Sequence, residues 1–163
     1  ARVYATSPED IRGLADAFPG LVILPWPPDR TVLEPVAAVI SSAVIEHVGG
    51  YAAQTEYLRG LLTFRKPVLV TTPNRFHWLE FHTKLPLLHW LPRSMHRAVL
   101  RRLGLRAWAA ETHLSLLSRT ELRRAIREAS RQASVPADVQ WFRPWCLGMV
   151  SNLVALVTPA PES

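Results

Sequence analysis

Residues 38–50 read AVISSAVIEHVGG. The stretch begins as a run of small and branched apolar residues, the pattern of a strand covered on both faces. It stops on Glu46-His47 and then on Gly49-Gly50. A carboxylate and an imidazole are the two side chains best suited to moving protons near neutral pH. An apolar strand that ends on both delivers them to one edge of whatever sheet it joins.

The flanking segments say what kind of sheet that is. ARVYAT, at the start of the chain, reads as a short strand. SPEDIRGLADAF reads as a helix, with Ser7 as cap, Pro8 in the first position and Asp10 at capping-box spacing. Ile11, Leu14 and Phe18 fall on one face of it. LVIL is a second strand, PWPPDRTVLEP a proline-rich connection, and residues 36–44 a third strand. YAAQTEYLRGLL is helical, and PVLVTTPN is a buried strand closed by Pro73-Asn74. Residues 75–110 are irregular, aromatic and basic. SRTELRRAIREASRQA is a helix with a Ser118-to-Glu121 capping box. DVQWFRPW and MVSNLVALVTP form a closing hairpin with a turn near Gly148. Strand–helix–strand units predict an α/β sheet with crossover helices. Ligands of such sheets sit at the carboxyl ends of the parallel strands, where Glu46, His47 and Asn74 fall.

Composition fits one globular domain over residues 1–163. The 163 residues are 48% apolar and 20% charged, outside the range of disordered chains. No apolar run reaches the ~20 residues of a membrane-spanning helix. No basic leader precedes an apolar core, so a cytoplasmic setting is expected. The lone Cys146 forms no internal disulfide and offers no metal spacing. The net charge of +6 is local: residues 84–106 hold Lys84, Arg93, Arg97, Arg101, Arg102 and Arg106 and no acid.

VISSAVIEHVGG, a helix, and then RKPVLVTTPNRFHWLEFH together resemble the middle of a class I S-adenosylmethionine-dependent methyltransferase. That family's fourth strand ends in small residues and a Glu-His-Val turn, and its fifth in TTPN with a following Glu-x-His in some subgroups. The resemblance implies a Rossmann-like sheet with flanking helices and a C-terminal antiparallel hairpin, and S-adenosylmethionine as cofactor. It implies methyl transfer to a small-molecule or lipid-linked acceptor.

This chain also departs from the family pattern. None of its seven glycines lies in a Gly-x-Gly pattern, yet the family's cofactor loop needs glycine for close backbone approach. ARVYAT matches the family's second strand, not its first, and the acid that usually follows it is replaced by Ala5-Thr6. Val36-Ala37 stands in place of Phe-Asp, and no acid occurs around Leu24-Pro25-Trp26. A domain incomplete at its N-terminus accounts for the abrupt start of the match better than a diverged one. Without the first strand, the fourth would lack a neighbour and leave backbone groups unpaired. Weak cofactor binding, or none, is therefore expected of these residues alone.

The resemblance assigns cofactor contact to Thr6 and Ser7 and to Ser41, Ser42 and Ala43. Small residues at the last three positions would serve close sheet–helix packing equally well. Glu46 and His47, then Glu80 and His82, are the candidate catalytic groups, each able to take a proton from an acceptor hydroxyl or amine. Asn74, Arg75, His77, Trp78 and Trp90 are the candidate substrate contacts. The carboxylates and imidazoles suit a zinc- or magnesium-class ion, but no compact His-Glu-x-x-His spacing occurs, so no metal site is assigned.

Residues 75–110 stand where family members carry a substrate-covering insertion. Arg93, Arg97 and Arg101 recur every four residues and share a helical face, with Trp90 and Trp108 flanking. A basic, aromatic helix of this kind suits an anionic membrane surface or a lipid-linked substrate. Arginine mixed with aromatics also suits single-stranded nucleic acid, for which the case is weaker. The alternative to an enzyme is a non-catalytic methyltransferase-like module that binds a partner or membrane through residues 84–108.

Overall fold

The computed structural model describes residues 2–7, 10–25, 31 and 36–161. The chain divides into two compact units, Ala1–Val36 and Ala37–Ser163.

In the first unit, strand β1 (Val3–Thr6) pairs in parallel with β2 (Leu21–Leu24), Val3 opposite Leu21. Helix α1 between them covers only Gly13–Ala17, shorter than the expected 7–18. Pro8 lies outside the described residues. Asp10 does not act in a capping box. Its carboxylate accepts from the Arg12 backbone N–H at 3.1 Å and from the Arg12 guanidinium. That local bond competes with the first helical turn, and Gly13 adds to the cost of starting earlier. Leu14 and Phe18 are exposed rather than packed on a common face.

The second unit is a mixed sheet in the order β3-β4-β8-β5. Strand β3 (Val39–Ser42) runs parallel to β4 (Val68–Pro73), and helix α2 (Tyr51–Leu62) makes the crossover. Strand β8 (Asn152–Pro159) is antiparallel to β4 on one side and to β5 (Ala137–Phe142) on the other. The expected hairpin is thus present. A small ribbon interrupts its connection, β6 (Trp145–Cys146) against β7 (Met149–Val150). Gly148, with φ +81°, makes the ribbon's turn.

One face of this sheet carries the core. Val68 and Val70 alternate inward on β4, as do Leu153, Ala155 and Val157 on β8, the period of two a strand imposes. Leu58, Leu61 and Leu62 of α2 meet them, with Leu122, Ala125, Ile126 and Ala129 of helix α4 (Arg119–Ala133). Those α4 positions recur at three- and four-residue intervals, the apolar stripe of an amphipathic helix. The α4 capping box forms as expected. Ser118 accepts from the Glu121 N–H, and Glu121 accepts from the Ser118 N–H. Strand β3 is not covered on both faces: Ile40 is 71% exposed. It is an edge strand among the described residues, hydrogen-bonded to β4 alone. Residues 75–110 include a short 3-10 turn, Leu88–Trp90, and one further α-helix, α3 (Arg93–Arg102).

Candidate metal centre

Strand β3 ends because Ala43 turns left-handed, φ +52°, a conformation that costs a non-glycine residue ~1 kcal/mol. The turn throws Ile45–His47 into a single 3-10 turn. Ile45 and Glu46 point inward and are wholly buried, while the His47 side chain stays 37% exposed. Gly49, at φ +116°, and Gly50 then lead into α2. A side chain at Gly50 would strike the Glu111 carboxylate, which lies 2.6 Å from where its Cβ would stand. The two glycines that close the opening motif therefore serve the turn and its packing.

Glu46 is clamped from two sides. The Ser115 N–H donates to its carbonyl at 2.8 Å, and the Thr72 hydroxyl donates to its Oε2 at 2.9 Å. Gln54 ties the same turn down, donating to Ile45 O and to Ser115 O. The second carboxylate oxygen, Oε1, is buried and has no hydrogen-bond partner among the described residues. A buried polar oxygen left bare costs about 1–3 kcal/mol, more if charged. His47 Nε2 lies 4.0 Å from it.

His82 arrives from the loop after β4. Its ring meets that of His47 edge to face at 4.9 Å between centroids. Glu46, His47 and His82 each offer one ligand atom, all within 4.8 Å of one another. Two ligands on a common ion at ~2.1 Å can stand at most about 4.2 Å apart.

Both imidazoles are already oriented for such a role. The Nδ1–H of His47 donates to His113 O at 2.6 Å, and that of His82 to Glu80 Oε1 at 2.7 Å. The Nε2 of each ring is the nitrogen left for a ligand. A second group holding the far nitrogen is the usual device for fixing a metal-binding histidine. The bond to Glu80 also raises the His82 pKa against the opposing effect of burial. Burial would lift Glu80, but bonds from His82 and Thr83 outweigh it and hold its pKa at about 2. Each Glu80 oxygen is occupied, Oε1 by the His82 N–H and ring, Oε2 by the Thr83 N–H and hydroxyl. Glu80, expected from sequence as a catalytic group, thus holds His82 and Thr83 in place in this structure.

The candidate substrate contacts scatter. Asn74 holds the end of β4: its amide donates to Val150 O, and its Oδ1 accepts from the Phe76 N–H. His77 is wholly buried, its ring nitrogens 2.9 Å from Leu79 O and 3.2 Å from Cys146 O. The Trp90 indole donates to His77 O at 3.1 Å. Trp78 is half-buried, its ring 5.9 Å from that of His77. Arg75 lies against Glu121 at 3.7 Å. None of these five joins the Glu46–His82 cluster. Sequence reasoning missed Thr72, His113 O, Ser115 and Trp108, whose ring lies 5.4 Å from that of His82. Three of the four follow helix α3 (Arg93–Arg102), more than twenty residues beyond His82 and more than sixty beyond Glu46 and His47, out of reach of any local spacing.

The hydroxyls assigned to S-adenosylmethionine already have partners within their own units. The Ser41 hydroxyl is buried and shares a 2.8 Å hydrogen bond with Tyr57. The Ser42 hydroxyl pairs with that of Thr71 at 3.0 Å. Thr6, in the other unit, donates to Pro25 O. No glycine-rich loop stands at the end of β3 among the described residues.

No protein-family model matches the chain, and no curated protein matches it. Among solved structures, a chain of the Pnkp1/Rnl/Hen1 RNA repair complex is similar over 96% of this chain, with a TM-score of 0.57 and 16% identity. This chain spans 31% of that one. At so low an identity, the likeness establishes an α/β fold held in common.

Proposed function

We propose that this chain provides the acceptor side of an S-adenosylmethionine-dependent methyltransferase, with a divalent cation held by Glu46, His47 and His82. The bare, buried Glu46 Oε1 opposite two oriented imidazoles carries the reading. The order of motifs from residue 38 to 82 and the α/β fold support it. A carboxylate and two histidines form a donor set common to first-row divalent ions with open coordination positions. A cation there supplies Lewis-acid polarisation of an acceptor hydroxyl.

The chain's own residues do the positioning. Thr72 fixes the Glu46 carboxylate, and His113 O and Glu80 aim the two Nε2 lone pairs at one point. Trp108 packs against His82 and fills the site's flank. The acceptor is a small or lipid-linked molecule presented at this edge. The described residues do not complete a cofactor cradle, so the proposal concerns the acceptor side alone.

Titration with cobalt(II), followed by its visible absorption bands, tests the centre. Binding should appear at one equivalent and be lost in Glu46→Gln, which puts an amide nitrogen, unable to bind the ion, in place of one carboxylate oxygen. A hydroxyl acceptor such as glycerol, added to the cobalt-loaded chain, should shift those bands by entering an open coordination position. Equal cobalt spectra for both proteins, or bands that no hydroxyl compound moves, would refute the proposal.

A second reading has its own observation. Arg101, Arg102 and Arg106 form no ion pair among the described residues and line a hollow of about 570 Å³ with Ala109 and Ala110. That surface supports peripheral contact with an anionic membrane, whether or not the chain is catalytic. No helix of the described residues is long and apolar enough to cross a membrane.

A further inference from the structure

Trp108, which packs on His82, also lines a second cavity of about 20 Å³, the room of one water-sized group. Arg75 reaches this cavity from the turn after β4, and Arg93 and Arg97 from successive turns of α3. Their counter-charges are fewer than they are. Glu121 serves both Arg75, at 3.7 Å, and Arg93, at 2.7 Å, and Glu111 serves Arg97 at 3.3 Å. Burial, and then the neighbouring Arg93 charge, lower the Arg75 pKa, as expected where positive charge is incompletely matched. Each guanidinium keeps unused N–H donors.

Two buried polar atoms at the cavity have no partner among the described residues, His89 Nδ1 and Ser115 Oγ. The Nε2–H of His89 donates to His77 O at 2.7 Å. Its Nδ1 therefore carries the lone pair, and burial, the main influence on this ring, favours the neutral form. The cavity asks for a ligand with several acceptor oxygens for arginine and one proton to donate to His89. Carboxylate and sulfate have no such proton at neutral pH. A phosphate monoester, whose second pKa is near 6, is partly protonated there.

We propose that Arg75, Arg93 and Arg97, with His89 Nδ1 and Ser115 Oγ, form a subsite for a singly protonated phosphate group. It rests on the methyl-transfer reading only in that this phosphate would anchor the acceptor beside Glu46, His47 and His82. Phosphate binding itself is independent of that reading. Phosphate is larger than the cavity, and the partly exposed side chains of Arg93 and Arg97 are the ones able to swing outward for it.

The test is calorimetry on the whole chain in chelator, which separates this subsite from the metal centre. Inorganic phosphate should bind about tenfold more tightly than sulfate, the worth of one hydrogen bond to a buried acceptor. His89→Phe should bring the two anions level, and Arg97→Met should weaken both. In the unmodified chain, the His89 Nδ1 nitrogen resonance should move with phosphate and stay still with sulfate, a readout independent of how the variants fold. Glycerol 3-phosphate and phosphatidic acid vesicles then separate a soluble ester from a lipid headgroup as the source. Equal affinity for sulfate, or a still His89 resonance, would overturn the subsite. Absence of cobalt binding by the unmodified chain, with phosphate binding intact, would instead sink the metal reading and spare this one.

Discussion

At the scale of single residues, the histidines divide by environment. His82 sits against a carboxylate, His77 between carbonyls, and buried His89 and half-buried His96 in a cationic patch. Burial lowers the pKa of His96, and the charges of His89, Arg75 and Arg97 lower it further, against Glu80. A folded-state value below the ordinary 6.5 means that the unfolded chain takes up its proton first. Stability from this group is full above pH 6.5 and is lost as the pH falls toward the folded value. His82 has the opposite sign: its raised pKa favours folding below 6.5 and is lost as the pH rises through the raised value. The wild-type slope is thus a difference of two effects. The clean measurement compares His96→Gln with wild type in urea unfolding. The balance should shift toward the variant between pH 7.5 and 5.5, and a constant gap would contradict the assignment.

At the scale of elements, α4 and α3 are opposites. Helix α4 has a full capping box and four buried apolar positions. Ser118→Ala should cost ~1 kcal/mol, a fall of about 3 °C in thermal midpoint. The Glu121 carboxylate also serves Arg75 and Arg93, so Glu121→Ala should cost more than Ser118→Ala in the same thermal melt. Helix α3 buries only Leu100 and presents arginines. Co-sedimentation with vesicles should require anionic lipid and weaken with salt. Arg101→Gln with Arg102→Gln should weaken it further. Equal pelleting with neutral vesicles at high salt would remove the membrane reading.

At the scale of the whole molecule, cofactor affinity follows from what stands around β3. An edge strand with one exposed face and side chains already paired offers little to a nucleoside. Calorimetry should show weak binding of S-adenosylmethionine to this chain, or none, and a micromolar constant would overturn that.

Most of the elements of the second unit were legible in its sequence. A continuous apolar run marked β4, the Ser118–Glu121 capping box marked α4 and the turn at Gly148 marked the β5–β8 hairpin, because each of these signals is local to its element. The first helix was misjudged because Asp10 and Arg12 settle a local competition that composition does not show. The Glu46-His47 turn was legible as the end of a strand, since small residues, a turn and two glycines follow in order. Its use was not. The sequence by itself determined an apolar α/β core and which acids and imidazoles reach the sheet edge. Only the tertiary structure decided that Glu80 serves His82, that Glu46 keeps one oxygen bare, and that His82 comes to His47. The first is a contact within one tight turn, which periodicity does not report; the other two join residues dozens of positions apart, and side-chain periodicity carries no information about which distant loop closes on which turn.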